Sequence, residues 1–275
     1  MSEDARREFK WLASREPVPI AFGALVIAKE EYPNLDLDHY MDEIAVFARE
    51  AEPMVRAGGD TVERVQLLSQ YLFEQKGFEG NQEQYNDPRN SYLNEVIDRR
   101  LGMPLTLSII YLEVGRRLGL NLYGVNMPGH FLVKAVDERG ELIIDPFSGG
   151  PILGLDDIRA RLAQTYGQPV ELRPAMLKPV GGRHILVRLL RNLKLAYLKL
   201  ADNPRALSAL DRILLLDPRS LEELAERGEL YEKLECFRAA LDDFQSFLSL
   251  APEHPAAESI REAVMRLTRQ VALIN

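Results

Sequence analysis

Two side chains in this sequence have the types and the spacing to work as a chemical pair. His130 opens the stretch HFLVKAV, and Asp145 closes the stretch ELIID. Both stretches are rich in β-branched and aromatic residues, and Asp137-Glu138-Arg139-Gly140 between them is turn chemistry. They read as a hairpin with strands His130–Val136 and Glu141–Phe147. With Val136 opposite Glu141, His130 faces Phe147 and Leu132 faces Asp145. Side chains alternate between faces, so His130 and Asp145 become diagonal neighbours on one face. A two-residue shift places them directly opposite, and a one-residue bulge separates them. A paired carboxylate orients the imidazole and favours its charged form, which is the preparation a general base needs. Unpaired, the histidine is a packing or hydrogen-bonding residue, and the aspartate before Pro146 is a turn-former. Spacing leaves both readings open.

The elements around the pair are mostly helical. Ile20–Glu31 is an apolar run, and a second helix is expected over Leu37–Ala57, stopped by Gly58-Gly59. A third begins at Asp60, where Asp60 and Glu63 have capping-box spacing, and Gly77 suits its C-terminal end. Asn81–Ser91 (NQEQYNDPRNS) is loop chemistry. A short helix, Tyr92–Arg100, is broken by Gly102-Met103-Pro104, and Pro104 fits the first position of the next helix. That helix, Pro104–Leu118, is apolar on most sides, as a helix at a domain centre is. Leu122–Asn126 is a further short strand. Pro151–Pro179 reads as irregular chain with one helix near Asp156–Thr165, and its prolines suggest a surface linker ending at Gly181-Gly182.

Polar residues gather just before the central helix. Asn86, Asp87, Arg89, Asn90, Asn94 and Glu95 form a set from which Asn90, Asn94 and Glu95 are candidates to line a groove; a capped, solvated loop is the plainer reading of each. Thr106 and Ser108 are the hydroxyls nearest the helix start. Thr106 would feel the positive end of the helix dipole, although hydroxyls inside an apolar helix usually bond a preceding carbonyl. His39, His130, His184 and His254 are scattered, so no metal site and no cofactor is expected. No glycine pattern makes a phosphate loop.

The chain has 275 residues, 46% apolar and 28% charged, typical of a globular protein of one or two domains. With 34 Lys and Arg against 42 Asp and Glu, the net charge is −8, which argues against nucleic acid as a partner. The single cysteine, Cys236, excludes an internal disulfide and a cysteine zinc cluster. The opening residues are charged throughout and lack the apolar core of an export signal, and Pro19–Ala28 is too short to span a bilayer. A cytoplasmic protein without membrane anchorage is the expectation.

From about Arg183 onward the sequence repeats. Pro218 and Pro252, Tyr197 and Tyr231, Ala206 and Ala240, and Leu210 and Phe244 are each separated by 34 residues, the period of the tetratricopeptide repeat. Leu224, Gly228, Tyr231, Ala240, Phe244 and Pro252 fill the consensus slots of the second unit. Lys194 replaces the small residue of the first, and a helix over Ala256–Leu273 would cap the array.

The segments YNDPRNSYLNEVIDRRLGMPLTLSIIYLEVGRRLGL, GVNMPGHFLVKA and LIIDPFSGG resemble the bacterial SirB-type family, transglutaminase-like proteins with trailing tetratricopeptide repeats. The resemblance covers most of the chain. It implies an α+β, mostly helical protein: a papain/transglutaminase-like core with a central helix on a small antiparallel sheet, followed by an α-helical repeat array. The corresponding boundaries are residues 1–175 for the helical layer and core, and 183–275 for two repeat units and a capping helix. In active relatives a cysteine starts the central helix, with a histidine on one strand and an aspartate on the next. His130 and Asp145 match the latter two. The cysteine's place, near Pro104 to Thr106, holds none, and Cys236 falls in the turn between the helices of the second repeat. The resulting expectation is a non-catalytic, regulatory protein that binds a protein or peptide through its repeat surface and core groove. The alternative is a hydrolase or acyltransferase in which His130 and Asp145 activate water or Thr106. A hydroxyl needs far more activation than a thiol.

Overall fold

The computed structural model describes residues 3–274. The chain forms two compact units, one running to Leu189 and the other from Leu190 onward. The first unit begins with helices α1 (Glu3–Ala13), α2 (Ile20–Ala28), α3 (Leu37–Ala57) and α4 (Thr61–Ser69). Next come strand β1 (Glu79–Gly80), helix α5 (Leu93–Arg99), strand β2 (Leu101–Gly102) and helix α6 (Pro104–Arg117). Strands β3 (Leu122–Val125), β4 (Leu132–Asp137), β5 (Gly140–Ile144) and β6 (Ile152–Leu153) follow, then α7 (Leu155–Tyr166) and β7 (Pro179–Val180). Helix α8 (Gly182–Lys199) leads into the second unit, which continues with α9 (Asn203–Leu216), α10 (Leu221–Lys233), α11 (Phe237–Leu250) and α12 (Ala257–Ile274).

Local chemistry accounts for the helix ends. Asp36 caps α3 by accepting the His39 N–H. Asp60 caps α4 by accepting the Glu63 N–H, and the Glu63 carboxylate reaches back to the Gly59 N–H at 2.8 Å, one residue beyond the usual capping-box target. Past Ser69 this helix widens into a single π turn over Gln70–Gln75 before Gly77 turns the chain with φ +71. The apolar run of α2 stops at Ala28, short of Glu31, and almost every side chain in it is buried.

Helix α6 is the centre of the first unit. Leu105, Leu107, Ile109, Ile110, Leu112 and Val114 are all buried. Near its end Gly115 lets β3 approach, since a Cβ there would lie 2.3 Å from Leu122 Cδ1. The sheet is antiparallel, in the order β6-β5-β4-β3-β7.

The hairpin register is the one its side-chain pattern predicts, with Val136 opposite Glu141. Its strands are shorter than the expected His130–Val136 and Glu141–Phe147. Pairing ends at Val133 opposite Ile144. Beyond that point Pro146 has no N–H for a ladder, and the Asp145 side chain caps a 3-10 turn over Pro146–Ser148. On the other strand Gly129, at φ +71, bends the chain just before His130. The expected linker is also partly regular, because Pro179–Val180 forms β7 on the sheet edge, opposite Val125 and Gly124. An edge strand tolerates a proline.

In the second unit, α10, α11 and α12 pack around Leu224, Ala240, Phe244, Phe247, Ile260 and Leu267. Cys236 is exposed at the N-cap of α11. Lys194 is buried and ion-paired with Glu226, with Glu223 3.7 Å away. Among the described residues no helix is long and apolar enough to cross a membrane.

Gly228 sets the separation of α10 and α11, since a Cβ on it would lie 2.6 Å from Phe244 Cε1. The Gly228→Ala substitution is expected to wedge the pair apart and cost about 1–3 kcal/mol, read by urea unfolding; an unchanged midpoint would show that the ring yields freely.

Candidate functional site

Asp145 has no solvent exposure, yet its carboxylate is fully engaged. Oδ1 faces His130 Nε2 at 2.8 Å and accepts the Phe147 N–H at 3.1 Å. Oδ2 accepts the Ser148 hydroxyl at 2.8 Å and lies 2.6 Å from Arg161 Nη2 on α7. Its backbone is tied down as well: the Asp145 N–H donates to Pro151 O at 3.1 Å, and its carbonyl accepts the Gly150 N–H at 2.8 Å. Burial pushes the carboxyl up, but the His130 hydrogen bond and charge, the Ser148 hydroxyl and the Arg161 charge together hold it below the ordinary carboxylate value. Asp145 is therefore an anion at neutral pH.

His130 is held at three points. Nε2 is on Asp145, the backbone N–H donates to Met127 O at 3.1 Å, and the ring lies edge-on to Phe147 at 5.9 Å between centroids. Tyr85 meets the same phenylalanine edge-on at 6.0 Å. In the neutral tautomer that donates Nε2–H to the carboxylate, Nδ1 would carry the lone pair, and Nδ1 has no hydrogen-bond partner among the described residues.

The other candidate residues have partners of their own or stand apart from the pair. Thr106 is fully buried; its hydroxyl donates to Asn90 O at 2.8 Å and accepts the Met103 N–H at 3.1 Å, closing the N-terminus of α6. Ser108 donates to Pro104 O at 2.7 Å. Asn90 accepts from Asn81 Nδ2 at 3.0 Å and donates to Gln84 O at 2.7 Å, which knots the loop before α5. Asn94 is buried, with its Oδ1 unpartnered, and Glu95 lies 3.9 Å from Arg99. The structure brings His130 and Asp145 together, whereas no hydrogen bond or ion pair joins Thr106, Asn90, Asn94 or Glu95 to them. Among the described residues no group of three or more His, Cys, Asp or Glu side chains could hold a metal ion.

Two members of the site were not singled out from sequence. Ser148 follows Asp145 in the run DPFS, a turn pattern in which the aspartate side chain caps its own chain, so a signal was there. Arg161 lies on a helix with no local pattern pointing at Asp145.

Residues 38–191 match the family model described as transglutaminase-like superfamily, and residues 193–265 match a tetratricopeptide repeat model. A UPF0162 protein of Xylella fastidiosa (strain Temecula1) is 38% identical over 93% of this chain and 92% of its own. A UPF0162 protein of Vibrio cholerae is 32% identical over 90% of this chain and 91% of its own. Protein SirB1 of Salmonella typhimurium is 26% identical over 78% of this chain and 79% of its own. This chain belongs to the transglutaminase-like superfamily and carries tetratricopeptide repeats after that domain.

The Asp145→Asn substitution leaves Arg161 without its counter-charge and is expected to cost about 2–4 kcal/mol in unfolding experiments. Because the folded carboxyl titrates below its unfolded value, its stabilisation is complete above about pH 4 and is lost as pH falls through the folded value. The variant should therefore show a shallower acid limb of stability against pH; an unchanged limb would mean that Asp145 does not carry it. Thr106→Val should cost about 1–3 kcal/mol by stranding the Met103 N–H, and Thr106→Ser should cost less.

Proposed function

We propose that this transglutaminase-like protein is non-catalytic and acts by binding a protein or peptide partner, in a regulatory role. The observation that carries the reading is the state of Thr106. Near Pro104 to Thr106, where the resemblance puts the cysteine of active relatives, this chain has a sealed hydroxyl, Thr106, committed to Asn90 O and to the Met103 backbone. Attack on a carbonyl needs an accessible oxygen whose proton a base can remove. Cys236, the one thiol of the chain, is in the other unit. The tetratricopeptide repeats favour the same reading, since such repeats present extended surfaces to other proteins.

One observation favours a second reading. His130 Nδ1 is unpartnered while Nε2 sits on a carboxylate, which is the orientation of a general base. A water deprotonated by Nδ1 could attack an ester, thioester or amide carbonyl, Asp145 would stabilise the resulting imidazolium, and that imidazolium would return the proton to the alcohol, thiol or amine as its bond to the carbonyl carbon breaks. This makes the alternative a hydrolase; transfer to a second nucleophile in place of water makes it an acyltransferase.

The two readings part in one experiment, a turnover screen over amide, thioester and ester substrates with wild type and His130→Ala side by side. The expected result is no turnover above buffer in either protein. Turnover present in wild type and lost in His130→Ala would overturn the binding reading.

A further inference from the structure

Arg188 is a cation whose charge no other side chain balances among the described residues. It lies on the part of α8 that belongs to the first unit, half-buried, with its guanidinium carbon 5.5 Å from the centroid of the buried Phe131 ring. Its protein acceptors among the described residues are neutral. Nη1 donates to Asn126 Oδ1 and, at 3.0 Å, to Met127 O. Nε and Nη2 have no acceptor, and no carboxylate pairs with the group, among the described residues. Burial works against its charge, and the Tyr85 phenol is the titratable group placed to act on it. Arg161, in the same unit, has a carboxylate partner in Asp145.

Its position is also informative. The Met127 carbonyl that accepts from Arg188 Nη1 is the one that accepts from the His130 backbone N–H. Tyr85, electrostatically coupled to Arg188, reaches His130 through Phe147, each pair of rings edge-on. A guanidinium fixed on one nitrogen by two neutral oxygens keeps a planar edge of two N–H donors, and two parallel donors match the two oxygens of a carboxylate. A phosphate presents two oxygens to the same edge, so inorganic phosphate enters the test as the competing ligand.

We propose that the Nε–Nη2 edge of Arg188 is a carboxylate receptor that anchors a peptide beside Tyr85, Phe147 and His130. The inference rests on the reading of the first unit as a peptide-binding one and gives that reading a ligand chemistry. A peptide has two sources of carboxylate, its C-terminus and its Asp or Glu side chains. Tyr85, which is 41% exposed, would offer an aromatic face to the ligand's neighbouring residue.

The test uses the full chain isotope-labelled at arginine, with the Arg188 Nε–Hε resonance assigned from the spectrum of Arg188→Gln. Three probes are titrated: N-acetyl-trialanine with a free C-terminus, its C-terminal amide, and that amide with glutamate at the middle position. The expected result is a saturable shift of the Arg188 resonance with the first or the third probe and none with the all-alanine amide. The first responding alone assigns the C-terminal carboxylate; the third alone assigns a side chain. Arg188→Lys should weaken the binding by roughly tenfold, as loss of a bidentate contact does, and Arg188→Gln should abolish it. If Arg188→Gln does not fold, Arg188→Lys provides the assignment, and the wild-type titrations decide. An unmoved resonance, an equal shift with the amide, or tighter binding of inorganic phosphate would overturn the proposal. Such a failure leaves the non-catalytic reading intact, which only His130-dependent turnover removes.

Discussion

A carboxylate with no water around it governs the first unit. Asp145 stands fully buried, and a bare ion there would be prohibitively costly; it persists because each oxygen takes two donors. Those donors come from separate stretches: the bend before β4, the turn after β5, and α7. One ion thus fixes where the hairpin ends, how the Pro146–Ser148 turn closes and where α7 lies against them. The same contacts orient the His130 ring. Any chemistry or recognition there inherits its geometry from this anchor.

The start of α6 follows a similar economy of polar groups. Helix N-termini leave N–H groups unpaired, and Met103, just before Pro104, has its N–H taken by the Thr106 hydroxyl. The same hydroxyl then holds the Asn90 carbonyl, which links the helix to the loop knotted by Asn81 and Asn90. A cysteine could not hold these contacts as well, because a thiol is a weak donor and acceptor.

Much of this was legible in the sequence. The 34-residue period, the broken helix ends and the apolar α6 follow from patterns that depend only on neighbours in the chain. The register of β4 and β5 was also readable, since the Asp137–Gly140 turn and the alternation of side chains fix it together. Where the strands stop was not, because backbone and turn competed at Pro146 and Gly129. The His130–Asp145 contact was permitted but not required by that register, and it forms outside the paired residues, through two bends. Arg161 and Arg188 were invisible, because their roles depend on which groups from distant segments surround them. Sequence patterning reports faces and ends of elements; it does not report what a long cationic side chain finds when it gets there.

The charges around Lys194 fasten α8 to α10. Glu223 on α10 has no exposure, and it is held by Arg191 at 2.7 and 3.0 Å with Lys194 near by. In the slot where other repeats keep a small residue, this one keeps an ammonium group that Glu223 and Glu226 need. The two repeats are therefore not interchangeable modules. Loss of either Arg191 or Lys194 would leave the fully buried Glu223 carboxylate with one cation fewer, so the two helices that carry these three residues are fastened as a single piece.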